Sequence, residues 1–124
     1  MAIVPYYAAV LALLFVFLSV NTIRGRREHR IALGVSGNSD LERRVRVHGN
    51  FAEYAPFALF LIAMAEVRGA PPLVVHALCL SLVFGRLAHA WGVSRTDEDF
   101  RFRVAGMAAT FATIGGAALA ILLG

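Results

Sequence analysis

The chain has 124 residues, of which 59% are hydrophobic and only 16% charged, a balance that excludes an ordinary soluble domain and fits one small integral membrane domain. Its formal charge is +4, and every basic residue is an arginine. That charge does not read as nucleic-acid binding, because zinc-ligand spacing, an aromatic RNA-binding signature and a soluble basic face are all missing.

Arginine in place of lysine favours planar, bidentate recognition of carboxylate or phosphate, although a GC-rich genome gives the same bias. Cys79 is the only cysteine, which rules out an intramolecular disulfide and a thiolate metal cluster, and its apolar surroundings suit a small core residue.

The opening run MAIVPYYAAVLALLFVFLSV lacks the basic n-region of a signal peptide and is too long for an h-region. It reads as a retained membrane helix over 4–23, with Pro5 in its first turn and Tyr6 and Tyr7 suited to the interface. Arg24, Arg26, Arg27 and Arg30 follow, and then IALGVSGNSD has the turn chemistry of a loop. Ser39 and Glu42 form a capping-box pattern, so the second helix is expected to start near Asp40.

The second helix, 40–67, carries the functional signal. At 100° per residue Arg43, Arg46, Asn50 and Glu53 fall within an arc of about 80° on one face. The apolar part, 54–67, is only fourteen residues long, whereas crossing the hydrocarbon takes about twenty. Glu53 and Asn50 are therefore expected at membrane depth, where ionisable groups are costly, face the bundle interior and mark functional sites.

A tight turn, Arg68-Gly69-Ala70-Pro71, leads to a third helix over 72–91. Arg86 and His89 share its face with Cys79, Leu82 and Val93. Thr96 followed by Asp97-Glu98-Asp99 reads as a hydroxyl cap with acids in the first turn of a fourth helix, 97–123. There, Ala108, Ala112, Gly116 and Ala120 are expected to form a small-residue packing ridge. Glu66 and Arg68 are expected to close the far end of helices 2 and 3, and His76 to pack or pair near that surface. His29 and His48 are expected to be solvated or interfacial. No histidine pair has metal-ligand spacing with a carboxylate on one face, so no metal is predicted.

Eleven of the twelve arginines lie in or beside the first and third connections, which puts both connections in the cytoplasm and both termini outside. The polar helix ends then converge at one level. Arginines with one carboxylate and one amide suit a small ligand with more negative than positive charge. Glutathione has that charge set, and an arginine beside its thiol would favour the reactive thiolate. Snorkelling arginines paired with lipid phosphate explain the cluster without a ligand, but not the carboxylate in the stripe.

The pattern R-x-x-x-N-x-x-E-Y-x-P at Arg46, Asn50, Glu53, Tyr54 and Pro56, with GRLAHAWG in the third helix, resembles the membrane-associated proteins in eicosanoid and glutathione metabolism, MAPEG. The wording is most similar to the short bacterial relatives of the membrane glutathione transferases. The resemblance implies a four-helix membrane bundle in a bacterial inner membrane. It also implies a homotrimer with glutathione as co-substrate, bound between neighbouring subunits near the cytoplasmic face. By motif position, Arg46, Asn50, Glu53, Tyr54, Arg86 and His89 would bind glutathione, together with Arg27, for which Arg26 is the alternative. Arg103 would activate the thiol, with Arg101 the competing assignment. Val93 and Gly49 stand where other members carry a tyrosine and an arginine, and the acidic insertion at 97–99 interrupts the match.

The expected activity is transfer of glutathione to a lipophilic electrophile, or reduction of a lipid hydroperoxide. The alternative is a non-enzymatic membrane protein whose cytoplasmic arginines bind anionic lipid or a protein partner. A third reading is an ion pathway built on Glu53, Arg86 and His89.

Overall fold

The structure is a computed structural model that describes every residue from Met1 to Gly124. Four helices follow one another: α1 (Val4–His29), α2 (Ser39–Val67), α3 (Pro72–Ser94) and α4 (Phe100–Leu123). All four are long and apolar enough to cross a membrane, and there is no strand.

The helix ends differ from the sequence expectation for local reasons. α1 continues past residue 23 to His29, carrying Arg24, Arg26 and Arg27 in its last turns, where cations complement the helix dipole. Arg26 Nη1 donates to the carbonyls of Ile31 at 3.2 Å and Gly34 at 2.8 Å, which folds the following loop back onto the helix. In α2 the cap is Asn38 rather than Ser39: its side chain accepts from the Leu41 N–H at 2.9 Å. α4 starts later than 97, because Asp99 caps it by accepting from the Arg101 N–H at 3.0 Å.

The buried face of α3, which includes Val75, Cys79, Leu82, Arg86 and His89, packs against α2 and α4. α4 answers with Gly106, Thr110, Thr113 and Ala117. The expected ridge is thus displaced, since Ala108 and Ala112 are exposed. The displacement follows from Gly106, which lets the two helix backbones touch. A Cβ added there would lie 2.6 Å from the Gly85 carbonyl oxygen and 2.6 Å from the His89 nitrogen.

α1 lies along α2 and is pinned at both ends. At the basic end Gly25 admits Arg44, whose guanidinium donates to the Asn21 carbonyl at 3.1 Å and reaches Glu28 and Asp40 at 3.2 Å. At the opposite end Glu66 does not close helices 2 and 3. Its carboxylate accepts from the backbone N–H groups of Ala2, Ile3 and Val4 at 2.6 to 2.9 Å, capping α1, where unpaired N–H groups most need an anion. His76 pairs with the Tyr7 hydroxyl at 2.8 Å near that same surface. His48 is half-buried in the α1–α2 seam, where it bonds Ser19 Oγ at 3.0 Å and stacks on Phe15. His29 pairs with Asp40 at 2.8 Å.

Candidate functional site

Three helices bring their polar residues together at the basic end. α2 supplies Arg46 and Asn50, α3 supplies His89 and Val93, and α4 supplies Arg103 and Met107, which together line a cavity of about 190 Å³. A second cavity of about 280 Å³ shares Arg46, Val93 and Arg103 and adds Ser39, Glu42 and Arg43. Each alone is smaller than the roughly 300–1,000 Å³ of small-molecule sites. They share Arg46, Val93 and Arg103 as walls, so a ligand larger than either extends into both.

Glycines set the spacing of these walls. A Cβ on Gly92 would lie 2.8 Å from the Phe102 Cβ and 3.0 Å from the Arg103 nitrogen. The close approach of α3 and α4 therefore delivers Arg103 to the end of α3. Asn50 is held by Arg86, which is only 2% exposed. Arg86 Nη1 donates to Asn50 Oδ1 at 2.6 Å, and Nη2 donates to Thr110 Oγ1 at 3.0 Å. Thr110 Oγ1 donates its hydrogen bond to the Gly106 carbonyl at 2.8 Å, so its oxygen lone pairs are free to accept from Arg86. The bond fixes the Asn50 amide with its oxygen toward Arg86. Asn50 is then a donor to any ligand, rather than a group that pairs in both directions. Arg86 has no carboxylate partner in the chain, and its Nε is buried without a hydrogen bond.

The ion pairs divide the arginines. Arg46 meets Glu53 at 3.5 Å, with both side chains more than half exposed. Glu53 therefore does not face the interior of its own bundle, and the pair lies on an uncovered face of α2. Arg43 Nη1 donates to the Val93 carbonyl at 3.0 Å, satisfying an end group of α3, and to Glu98 at 3.0 Å. Glu98 also takes both Arg103 Nε and Nη2 at 2.7 Å. Burial alone would push the Glu98 carboxyl up, but the bonds from Arg103 and Arg43 outweigh it and hold the carboxyl below the ordinary glutamate value. The stability this clamp contributes is present above the ordinary glutamate pKa and is lost as pH falls through the lowered value.

Of the residues singled out from the sequence, Arg46, Asn50, His89 and Arg103 line one cavity. Arg86 stands directly behind it, and Glu53 joins it through Arg46. Tyr54 packs edge-on against Phe111 at 5.6 Å, away from the cavity lining. Arg27 is exposed on the last turns of α1 and is not part of that lining. Arg101 turns outward and is tied to Asp99 at 2.7 Å, which leaves Arg103 as the arginine of α4 at the cavity. Sequence reasoning put Arg43 on the functional face of α2 but gave Glu98 only a place in the first turn of the fourth helix. The signal was present in the charge pattern: an acid followed by an arginine five residues on, in a segment dense with arginine.

The MAPEG family model matches residues 4–123. The chain is 38% identical over 108 residues to the inner membrane protein YecN of Escherichia coli K12, covering 87% of this chain and 81% of that protein. The YecN of Escherichia coli O6:H1 matches to the same extent. Leukotriene C4 synthase of Cavia porcellus is 36% identical over 91 residues, which are 69% of this chain and 57% of that enzyme.

Proposed function

The chain belongs to the MAPEG family, which includes glutathione-dependent enzymes, and on that premise we propose that it binds glutathione and uses its thiolate against lipophilic substrates. It does so as a multi-pass protein of the bacterial inner membrane, with its site near the cytoplasmic face, as the arginine asymmetry of the connections favours. The observation that carries the reading is the single cavity onto which Arg46, Asn50, His89 and Arg103 open.

Glutathione has two carboxylates, one ammonium and one thiol. Arg46 and the Arg27 of a neighbouring copy are the carboxylate partners, Glu53 takes the ammonium, the Asn50 amide donates to a peptide carbonyl, and Arg103 faces the sulfur. Arg103 lowers the cost of the thiolate, whose proton leaves to solvent; the sulfur then adds to an electrophilic carbon as a conjugated double bond or an epoxide C–O bond breaks, and the anion so formed takes a proton from solvent. With a hydroperoxide the sulfur takes the terminal oxygen and releases the alcohol; a second glutathione then yields disulfide and water. The apolar partner arrives sideways from the bilayer.

The working unit is a homotrimer. A salt-bridged Arg46–Glu53 pair, more than half exposed on one chain, is expensive facing hydrocarbon. A neighbouring copy packed on that face of α2 covers the pair and closes the cavity, bringing its own Tyr54 and Arg27 within reach of the ligand.

A non-enzymatic reading is favoured by Arg24, Arg27 and Arg30, which are exposed and have no carboxylate partner, as suits anionic lipid. Calorimetry of glutathione binding to the detergent-solubilised protein separates the two. Saturable binding by the parent is expected, about tenfold weaker in Glu53→Gln, in keeping with the loss of one charge-assisted bond. Arg103→Ala is expected to keep most of the affinity but lose the ultraviolet absorbance of the bound thiolate. A parent protein that does not bind glutathione, with its assembly intact, moves the function to lipid or partner binding.

A further inference from the structure

The strongest unassigned feature beside the site is the acid that grips Arg103. Glu98 lies in the short connection between α3 and α4, yet its side chain is only 4% exposed. It takes the Nε and Nη2 edge of Arg103 in a two-bond fork, 2.7 Å each, and shares one oxygen with Arg43 at 3.0 Å. Arg43 is itself fixed by the Val93 carbonyl. The fork is thus anchored to α2 and to the end of α3, not merely to its own loop.

We propose that Glu98 is a positioning residue: it locks the Arg103 guanidinium so that the remaining Nη1 edge is presented to the cavity and to the bound thiol. The proposal rests on the reading of the cavity as a glutathione site. Arg103 needs such a lock. Its side chain is 42% exposed, and its other neighbour is the Phe100 ring at 5.4 Å, an attraction that fixes no hydrogen-bond direction. A bidentate carboxylate fixes both the plane and the rotation of the guanidinium. The charged and titratable groups facing Arg103 across the two cavities are Glu42, Arg43 and Arg46 from α2 and His89 from α3. None of them duplicates the fork.

The sign of one measurement decides. By Coulomb's law alone, removing a carboxylate from beside the cation would make a nearby thiol more acidic. Positioning requires the opposite, because a released Arg103 swings away from the sulfur. The thiolate absorbance of glutathione bound to the full-length protein is followed against pH in the parent, Glu98→Gln and Glu98→Asp. Glu98→Gln is expected to bind glutathione within a few-fold of the parent but to form about tenfold less thiolate at neutral pH, one unit of apparent pKa. Glu98→Asp keeps the charge one methylene short and is expected to recover part of the loss. A thiol that is unchanged or more acidic in folded, binding-competent Glu98→Gln overturns the proposal.

A second readout does not depend on glutathione. Arg103 modification by phenylglyoxal, mapped by mass spectrometry, is expected to be slow in the parent and several-fold faster in Glu98→Gln. Equal rates overturn the lock even where glutathione binds. A faster rate in a protein that binds no glutathione supports the lock and removes the ligand reading alone.

Discussion

Gly106→Ala is expected to destabilise the folded chain by about 3 kcal/mol, the upper end of what overpacking a tight interior costs. The added methyl has no room on either side. It would sit 2.6 Å from the Gly85 carbonyl oxygen, 2.6 Å from the His89 nitrogen and 2.8 Å from the His89 Cβ. Two of these three obstacles are backbone, which a rotamer change cannot move. The helices must separate, and the separation reaches the site, because His89 lines the cavity and Gly106 accepts the Thr110 hydrogen bond that lets Thr110 serve Arg86. Gly115→Ala is the control. Nothing lies within 4 Å of its added methyl, so that variant is expected to gain about 0.5–1 kcal/mol from reduced backbone freedom. Unfolding in mixed dodecyl sulfate micelles measures both. A Gly106→Ala protein as stable as Gly115→Ala would mean that α3 and α4 do not cross where the glycines meet.

That crossing also explains which parts of the molecule could be read from the residues alone. Three apolar runs near membrane length and a shorter one extended by the polar stripe ahead of it are enough to give four helices, because hydrocarbon demands that every backbone group be paired within its own segment. The stripe on α2 was legible for the same reason: a helix at fixed pitch turns spacing into a face. The rotation of α4 was not. Its ridge of Ala108, Ala112, Gly116 and Ala120 has the correct spacing, but so does the set that packs, Gly106, Thr110, Thr113 and Ala117. Small residues occur on several faces of α4, and only the fit to Gly85 chooses among them.

The site shows the same division. Arg46 and Asn50 were visible as a helical repeat, whereas the meaning of Glu98 depended on where the loop folds. An acid beside the start of a helix caps in most chains, and here Asp99 takes that role, which frees Glu98 to turn inward. Glu66 was misread for a related reason: the N–H groups it caps belong to α1, more than sixty residues earlier in the chain.

Arg86→Met is expected to leave the fold near parent stability while weakening glutathione binding by up to about tenfold, the loss of roughly one hydrogen bond between neutral groups. Arg86 is the largest fully buried side chain of the molecule, and no carboxylate balances it. A buried cation without a counter-ion is a poor way to hold helices together, since an apolar side chain of like volume avoids the desolvation. Methionine fills most of the space, so no large cavity opens. Arg86→Ala leaves that space empty, and its expected cost is on the order of 2–5 kcal/mol. What neither variant can replace is the 2.6 Å bond to Asn50 Oδ1. Without it the Asn50 amide turns freely, and its N–H groups no longer face the cavity on arrival of the ligand. The pair of measurements therefore separates two roles: calorimetry reads the site and micelle unfolding reads the fold. Parent-like binding by Arg86→Met would show that the arginine only fills the core, whereas a stable protein with weakened binding would show that the chain carries a buried charge to aim one amide.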